Sequence, residues 1–114
     1  MEDCLFCKII KGEIPCNKVY EDEDVLAFYD IKPVAKIHIL VIPKKHIPSI
    51  AHMQKEDEAL IGKIYSVINK IAEEQGFKEN GFKVIVNCGE DGGQEVMHLH
   101  FHILAGENLQ RKFV

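Results

Sequence analysis

Imidazole and large apolar side chains alternate along His98-Leu99-His100-Phe101-His102-Ile103-Leu104 as they do nowhere else in the chain. A period of two belongs to a β-strand, whose successive side chains point to opposite faces. A strand over 96–104 is therefore predicted. Its three histidines would share one face, at intervals of about 7 Å, while Leu99, Phe101 and Ile103 enter a core. A helix would instead turn residues two apart to nearly opposite sides. Imidazoles along a whole face forgo roughly 1.5–3 kcal/mol for each Val or Ile that could be buried there. That forfeited burial marks the face as a candidate site.

The remaining pattern predicts a small set of elements. Leu5, Phe6, Ile9 and Ile10 give residues 4–11 an apolar helical side, ended by Gly12 and Pro15. Residues 18–21 and 25–30 read as two short strands around the acidic turn Glu21-Asp22-Glu23-Asp24, with Val25, Leu26, Ala27 and Phe28 facing a core. Residues 37–42, apolar except for His38, suit an interior strand covered on both faces. Leu60, Ile61, Ile64, Ile68, Ile71 and Ala72 recur at three and four, so 55–75 is the one long amphipathic helix, ended by Gly76. Glu56, Asp57 and Glu58 favour its start through the helix dipole. A fourth strand over 82–87 pairs with the histidine strand as an antiparallel hairpin. With no regular βαβ alternation, the fold class is α+β: a five-stranded antiparallel sheet with one long and one short helix.

Length and charge narrow the function. At 114 residues the chain is a single domain, 1–114, with one core and no need of disulfide staples. A formal charge of −4 argues against a nucleic-acid surface, because such binders carry clustered Lys and Arg. No apolar run approaches a membrane span, and Met1-Glu2-Asp3-Cys4 lacks the basic and apolar regions of a signal peptide. Cytoplasm is the expected location. Four cysteines there are thiols or metal ligands rather than disulfides. Cys4-Leu5-Phe6-Cys7 has the spacing of a zinc half-site, with plain reduced thiols as the alternative; Cys16 and Cys88 read as small, partly buried apolar side chains.

Two chemical readings of the histidine face follow. The face ligates a transition metal, or one imidazole is a nucleophile for phosphoryl transfer and its neighbours are donors and orienters. The glycine-rich turn Asn87-Cys88-Gly89-Glu90-Asp91-Gly92-Gly93-Gln94 leads directly into the strand. Such a turn can aim backbone N–H groups at an anion. A site that held only a metal would not need it.

With these residues the chain resembles the histidine-triad family of nucleotide hydrolases and transferases, whose signature His-φ-His-φ-His-φ-φ is met by His98 to Leu104. The resemblance includes Gly92-Gly93-Gln94 and extends to Ile9-Ile10-Lys11-Gly12-Glu13-Ile14-Pro15, Leu26-Ala27-Phe28-Tyr29-Asp30-Ile31 and the stretch from His38 to His46. It is strongest to the Hint-type purine nucleoside phosphoramidases. It implies hydrolysis of AMP-amine phosphoramidates through a nucleotidyl-histidine intermediate, with a purine nucleotide as substrate and no cofactor for the chemistry. It also implies a homodimer that extends the sheet across two subunits.

Residue by residue, the resemblance makes His100 the nucleophile and His102 a phosphoryl contact or the proton donor to the leaving amine. His38 would hydrogen-bond across to the triad, with a buried structural histidine as the alternative. Asp30 would hold the ribose hydroxyls, or else be a turn residue before Pro33. Asn87 would lie near the phosphate, and Gly93 and Val96 would present backbone N–H groups to it. Zinc-bearing members of the family complete the Cys4–Cys7 half-site with residues corresponding to His46 and His98, which implies structural zinc; His98 then ligates metal, orients the constellation, or does both. Glu95 replaces the serine of many eukaryotic Hint-type members, and the C-terminal stretch 106–114 lacks the Trp-Pro-Pro ending of some, so both leave selectivity open. The alternatives are dinucleoside polyphosphate hydrolysis, nucleotidyl transfer, a zinc-supported nucleotide-binding regulatory module, and a metallohydrolase with zinc at the triad itself.

Overall fold

The computed structural model describes residues 3–113; Met1, Glu2 and Val114, the ends of the predicted domain and of its terminal segments, lie outside the described residues. Five strands, β1 (Lys18–Glu21), β2 (Val25–Tyr29), β3 (Ile37–Pro43), β4 (Lys83–Ile85) and β5 (Phe101–Ala105), form one sheet in the order β1-β2-β3-β5-β4. Every neighbouring pair is antiparallel. The short helix α1 (Leu5–Ile10) and the long helix α2 (Glu58–Gln75) complete the α+β architecture.

Local chemistry sets the ends of these elements. Asp22 Oδ1 accepts the N–H groups of Asp24 and Val25 at 2.7 and 2.9 Å, which closes the acidic turn between β1 and β2. Cys4 caps α1, its Sγ accepting the Cys7 N–H at 3.3 Å. A 3-10 turn, Lys55–Asp57, precedes α2, so the predicted helix over 55–75 begins its α-helical part at Glu58. There Asp57 Oδ2 accepts the Gln54 N–H in a reciprocal capping box. Gly76, at φ +82°, supplies the left-handed stop.

The sheet has two unlike faces. Against α2 lie Val25, Ala27, Ile39, Val41, Leu99, Phe101 and Ile103, packed on Ile64, Val67, Ile68 and Ile71. The opposite face carries Leu26, Phe28, Leu40 and Ile42 beneath Phe6 of α1. His38 and His102 continue this second face by strand alternation. A helix as short as α1 covers only part of the face, and the histidines occupy the rest.

The histidine strand is shorter than its sequence predicts, and β4 likewise spans Lys83–Ile85 rather than 82–87. β3 and β5 pair from Ile37↔Ala105 to Val41↔Phe101, a register that would set Ile42 opposite His100 and then Pro43 opposite Leu99. Proline has no N–H to give the ladder. The Leu99 N–H instead reaches Ile47 O at 2.7 Å, beyond the end of β3. His98 and His100 therefore precede the ladder, yet Leu99 is still buried with Phe101 and Ile103 in the α2-side core. The β4–β5 pairing is antiparallel as expected, but the link over 86–100 is a long structured loop rather than a tight turn. No helix among the described residues is long and apolar enough to cross a membrane.

Phe101 is 1% exposed and stacks edge-on to Tyr65 of α2, ring centroids 5.6 Å apart. Phe101→Ala is expected to lower unfolding free energy by about 3–5 kcal/mol, and His102→Ala on the opposite face by less than about 1.5 kcal/mol, measured by urea unfolding. Equal losses would contradict the two-faced strand.

Candidate active site

His100, the middle of the three histidines, is buried, and its Nδ1 donates to the His98 carbonyl at 2.7 Å. That bond assigns the ring's proton to Nδ1 and leaves Nε2 with a lone pair. Phe6 packs edge-on to the ring at 5.2 Å between centroids, and His102 lies 5.0 Å away on the other neighbour's side of the pattern. Burial lowers the His100 pKa, partly opposed by its bond to the His98 carbonyl and by the negative charges of Asp30 and Glu95. The result is a neutral, oriented imidazole, the form a nucleophile at phosphorus requires.

A second chain of bonds orients His102. The Val34 N–H donates to His38 Nδ1 at 3.2 Å, so a neutral His38 carries its proton on Nε2. His38 Nε2 lies 2.9 Å from His102 Nδ1 and donates to it, which places the proton of a neutral His102 on Nε2. Burial first, then the proximity of His100 and His38, lowers the His102 pKa to about 4. Burial also lowers that of His38, against the pull of Asp30. Asp30 Oδ2 stands 3.5 Å from His38 Nε2, while Oδ1 accepts the Lys32 N–H at 2.8 Å. Asp30 thus has both a turn role and a carboxylate oxygen directed to the site.

The glycine-rich loop is held by side-chain amides. Gln94 Oε1 accepts the Gly89 N–H at 2.9 Å, and Gln94 Nε2 donates to Pro48 O and Val96 O at 2.7 and 2.9 Å. Asn87 Nδ2 donates to Gly92 O at 2.8 Å. Gly93, at φ +76°, gives its N–H to Glu90 O at 3.0 Å, so in this structure that group shapes the turn instead of standing open to a phosphate. A Cβ on Gly92 would run into the Cys88 carbonyl. Glu95 is exposed on this loop, close enough for its charge to act on His100, and half-buried Val96 packs beside the Phe6 cluster.

The four predicted metal ligands come together on the other side of His98. Sγ of Cys4 and Cys7 lie 3.4 and 3.6 Å from His98 Nδ1, and His46 Nδ1 lies 3.3 Å from Cys7 Sγ and 3.1 Å from His98 Nδ1. His98 Nε2 donates to Pro43 O at 2.8 Å, which leaves Nδ1 as the lone-pair atom facing the thiols. Two thiols and two correctly oriented imidazoles fit a zinc ion, and the backbone carbonyl behind His98 is the partner that fixes a ligand's tautomer. Burial lowers the His98 pKa to about 4 and raises that of the Cys7 thiol. A bound metal would clamp α1, the segment after β3 and His98 together.

The HIT domain, as a family, matches residues 11–109. This chain belongs to the HIT domain family. It is 45% identical over 108 residues to a purine nucleoside phosphoramidase of Escherichia coli (strain K12), covering 95% of this chain and 91% of that protein. It is 47% identical over 104 residues to protein HitA of Neisseria gonorrhoeae, covering 91% of this chain and 96% of that protein. Among solved structures, a histidine triad protein from Clostridium difficile superposes with a TM-score of 0.93 at 59% identity, covering 96% of this chain and 95% of that one.

Several groups that build this HIT site were not singled out from the sequence. In the sequence Phe6 is one apolar position of a helix, yet its ring packs on both His98 and His100. The carbonyls of Pro43 and His98 and the N–H of Val34 set three imidazole tautomers. Backbone groups carry no sequence signal of this kind.

Below about pH 6.5 the unfolded chain binds protons on histidines that the folded HIT domain keeps neutral. Their stabilising contribution is complete above that pH and is lost as pH falls toward about 4, the value for His98 and His102. The melting temperature of metal-free protein should therefore fall across this window. A flat profile from pH 7 to pH 4.5 would contradict the buried neutral histidines.

Proposed function

We propose that the protein is a hydrolase that cleaves purine nucleoside 5'-phosphoramidates of the AMP-amine type. The observation that carries this reading is the His100 Nδ1 to His98 carbonyl bond, which leaves Nε2 as an unprotonated nucleophile. The named phosphoramidase relative, 45% identical, supports the choice of P–N bond. His100 Nε2 attacks the α-phosphorus, the P–N bond breaks, and the leaving nitrogen takes a proton to depart as the amine. Water then attacks the nucleotidyl-histidine, releasing AMP and restoring His100.

His102, with its proton on Nε2, serves as a phosphoryl contact or as the donor to the amine. His38 is a positioning residue, since it fixes that tautomer through His102 Nδ1. Asp30 Oδ2 suits the ribose hydroxyls, and Asn87, Gly93, Val96 and Glu95 belong to the loop beside the phosphate. The metal held by Cys4, Cys7, His46 and His98 would be structural, stiffening the backbone from which His100 is aimed. A homodimer joined along α2 and the β4 edge, in the cytoplasm, completes the proposal.

The test is a rapid quench of protein mixed with an AMP-amine phosphoramidate, followed by peptide mass spectrometry. An acid-labile AMP adduct on His100 is expected, with amine release, and His100→Ala should lower kcat/KM by about 10³-fold or more. AMP binding without adduct or amine release would overturn the phosphoramidase reading.

A further inference from the structure

The site contains a second convergence of metal-ligating atoms, distinct from the cysteine cluster. Asp30, His38 and His102 each place one donor atom within 4.8 Å of the other two. Asp30 Oδ2 is 3.5 Å from His38 Nε2, which is 2.9 Å from His102 Nδ1. The donors of the Cys4-Cys7-His46-His98 cluster stand 3.1 to 3.6 Å apart where they touch, so the two groups are comparably tight. Their chemistry differs. Four donors with two thiols make a closed, structural set, whereas one carboxylate and two imidazoles leave coordination positions open. Asp30 is partly exposed and His102 half-buried, so the second set can be reached from solvent.

We propose that Asp30, His38 and His102 form a second, reversible site for a divalent ion of the zinc type, and that its occupation excludes nucleotide. Two imidazoles and a single carboxylate favour zinc over magnesium or calcium, which take mostly oxygen ligands. Binding rearranges one proton. The ion takes the lone pairs of His38 Nε2 and His102 Nδ1, so the proton between these atoms leaves Nε2 and His38 is reprotonated at Nδ1. Both rings stay neutral and no proton is lost overall. The bond that His38 Nδ1 accepts from the Val34 N–H must open, and Val34 sits in an exposed irregular turn where water can replace it. That concession makes the second site weaker than the cysteine site. Occupation would also engage Asp30 Oδ2 and break the His38–His102 bond, removing both the proposed ribose acceptor and the support of His102.

The test is titration of metal-free, full-length protein with zinc against a chromophoric chelator. Two equivalents are expected to bind, the second more weakly. Asp30→Asn and His38→Gln should each weaken only the second by at least about tenfold, the retained first equivalent reporting an intact fold. A Cys4→Ser, Cys7→Ser double variant should lose the first and keep the second. With cobalt, thiolate-to-metal absorption should grow only with the first equivalent. Excess AMP should displace only the second. One equivalent in the unaltered protein, or a second that survives both Asp30→Asn and His38→Gln, would overturn the site. A second equivalent indifferent to AMP, under conditions where AMP binds, would overturn the exclusion. Neither readout depends on the phosphoramidase reaction.

Discussion

The hydrogen bond from His100 Nδ1 to the carbonyl of His98 is the contact on which the rest of the site depends, because it ties the two side-chain clusters together at His98. The side chain of His98 turns Nδ1 to the thiols of Cys4 and Cys7, held there by the Pro43 carbonyl, while its backbone oxygen fixes the tautomer of His100. The cysteine–histidine cluster and the lone-pair nitrogen of His100 are thus separated by a few covalent bonds and one hydrogen bond. A disturbance of α1 reaches His100 directly through Phe6, and through His98 by way of Cys7.

The fold makes this arrangement possible by asking opposite things of the two faces of one segment. Leu99, Phe101 and Ile103 are almost fully buried against the α2 side, which fixes the segment's position. Its other side can then carry imidazoles whose burial favours the neutral form. Pro43 ends the β3–β5 ladder where His98 and His100 begin, and its free carbonyl is turned to use as the partner of His98. The loop stitched by Gln94 closes over the same end of the sheet, and Gly92 leaves it the space it needs beside Cys88.

Much of this was legible in the residues. Period-two alternation placed Leu99, Phe101 and Ile103 in the core, three-and-four spacing found α2, and the Cys-x-x-Cys spacing found half of the set that could hold a metal. What the alternation could not reveal was that the ladder stops at Phe101, since the proline responsible lies on another strand and acts only through register. The tautomers were equally hidden, because they are set by the backbone groups of Pro43, His98 and Val34, which any residue could supply. His46 joined the cysteines through family resemblance, its distance from them in sequence giving no local clue. The grouping of Asp30 with His38 and His102 needed the β2–β3–β5 arrangement before the three could be seen as one set.

The most direct measurement is nitrogen-resolved NMR of the imidazole side chains in selectively 15N-histidine-labelled protein at neutral pH. His100 should be neutral with its proton on Nδ1 and an unprotonated Nε2, and His98 should carry its proton on Nε2. A His100 ring protonated on Nε2, or doubly protonated at pH 7, would contradict the account, since no lone pair would then remain on the nitrogen assigned to attack.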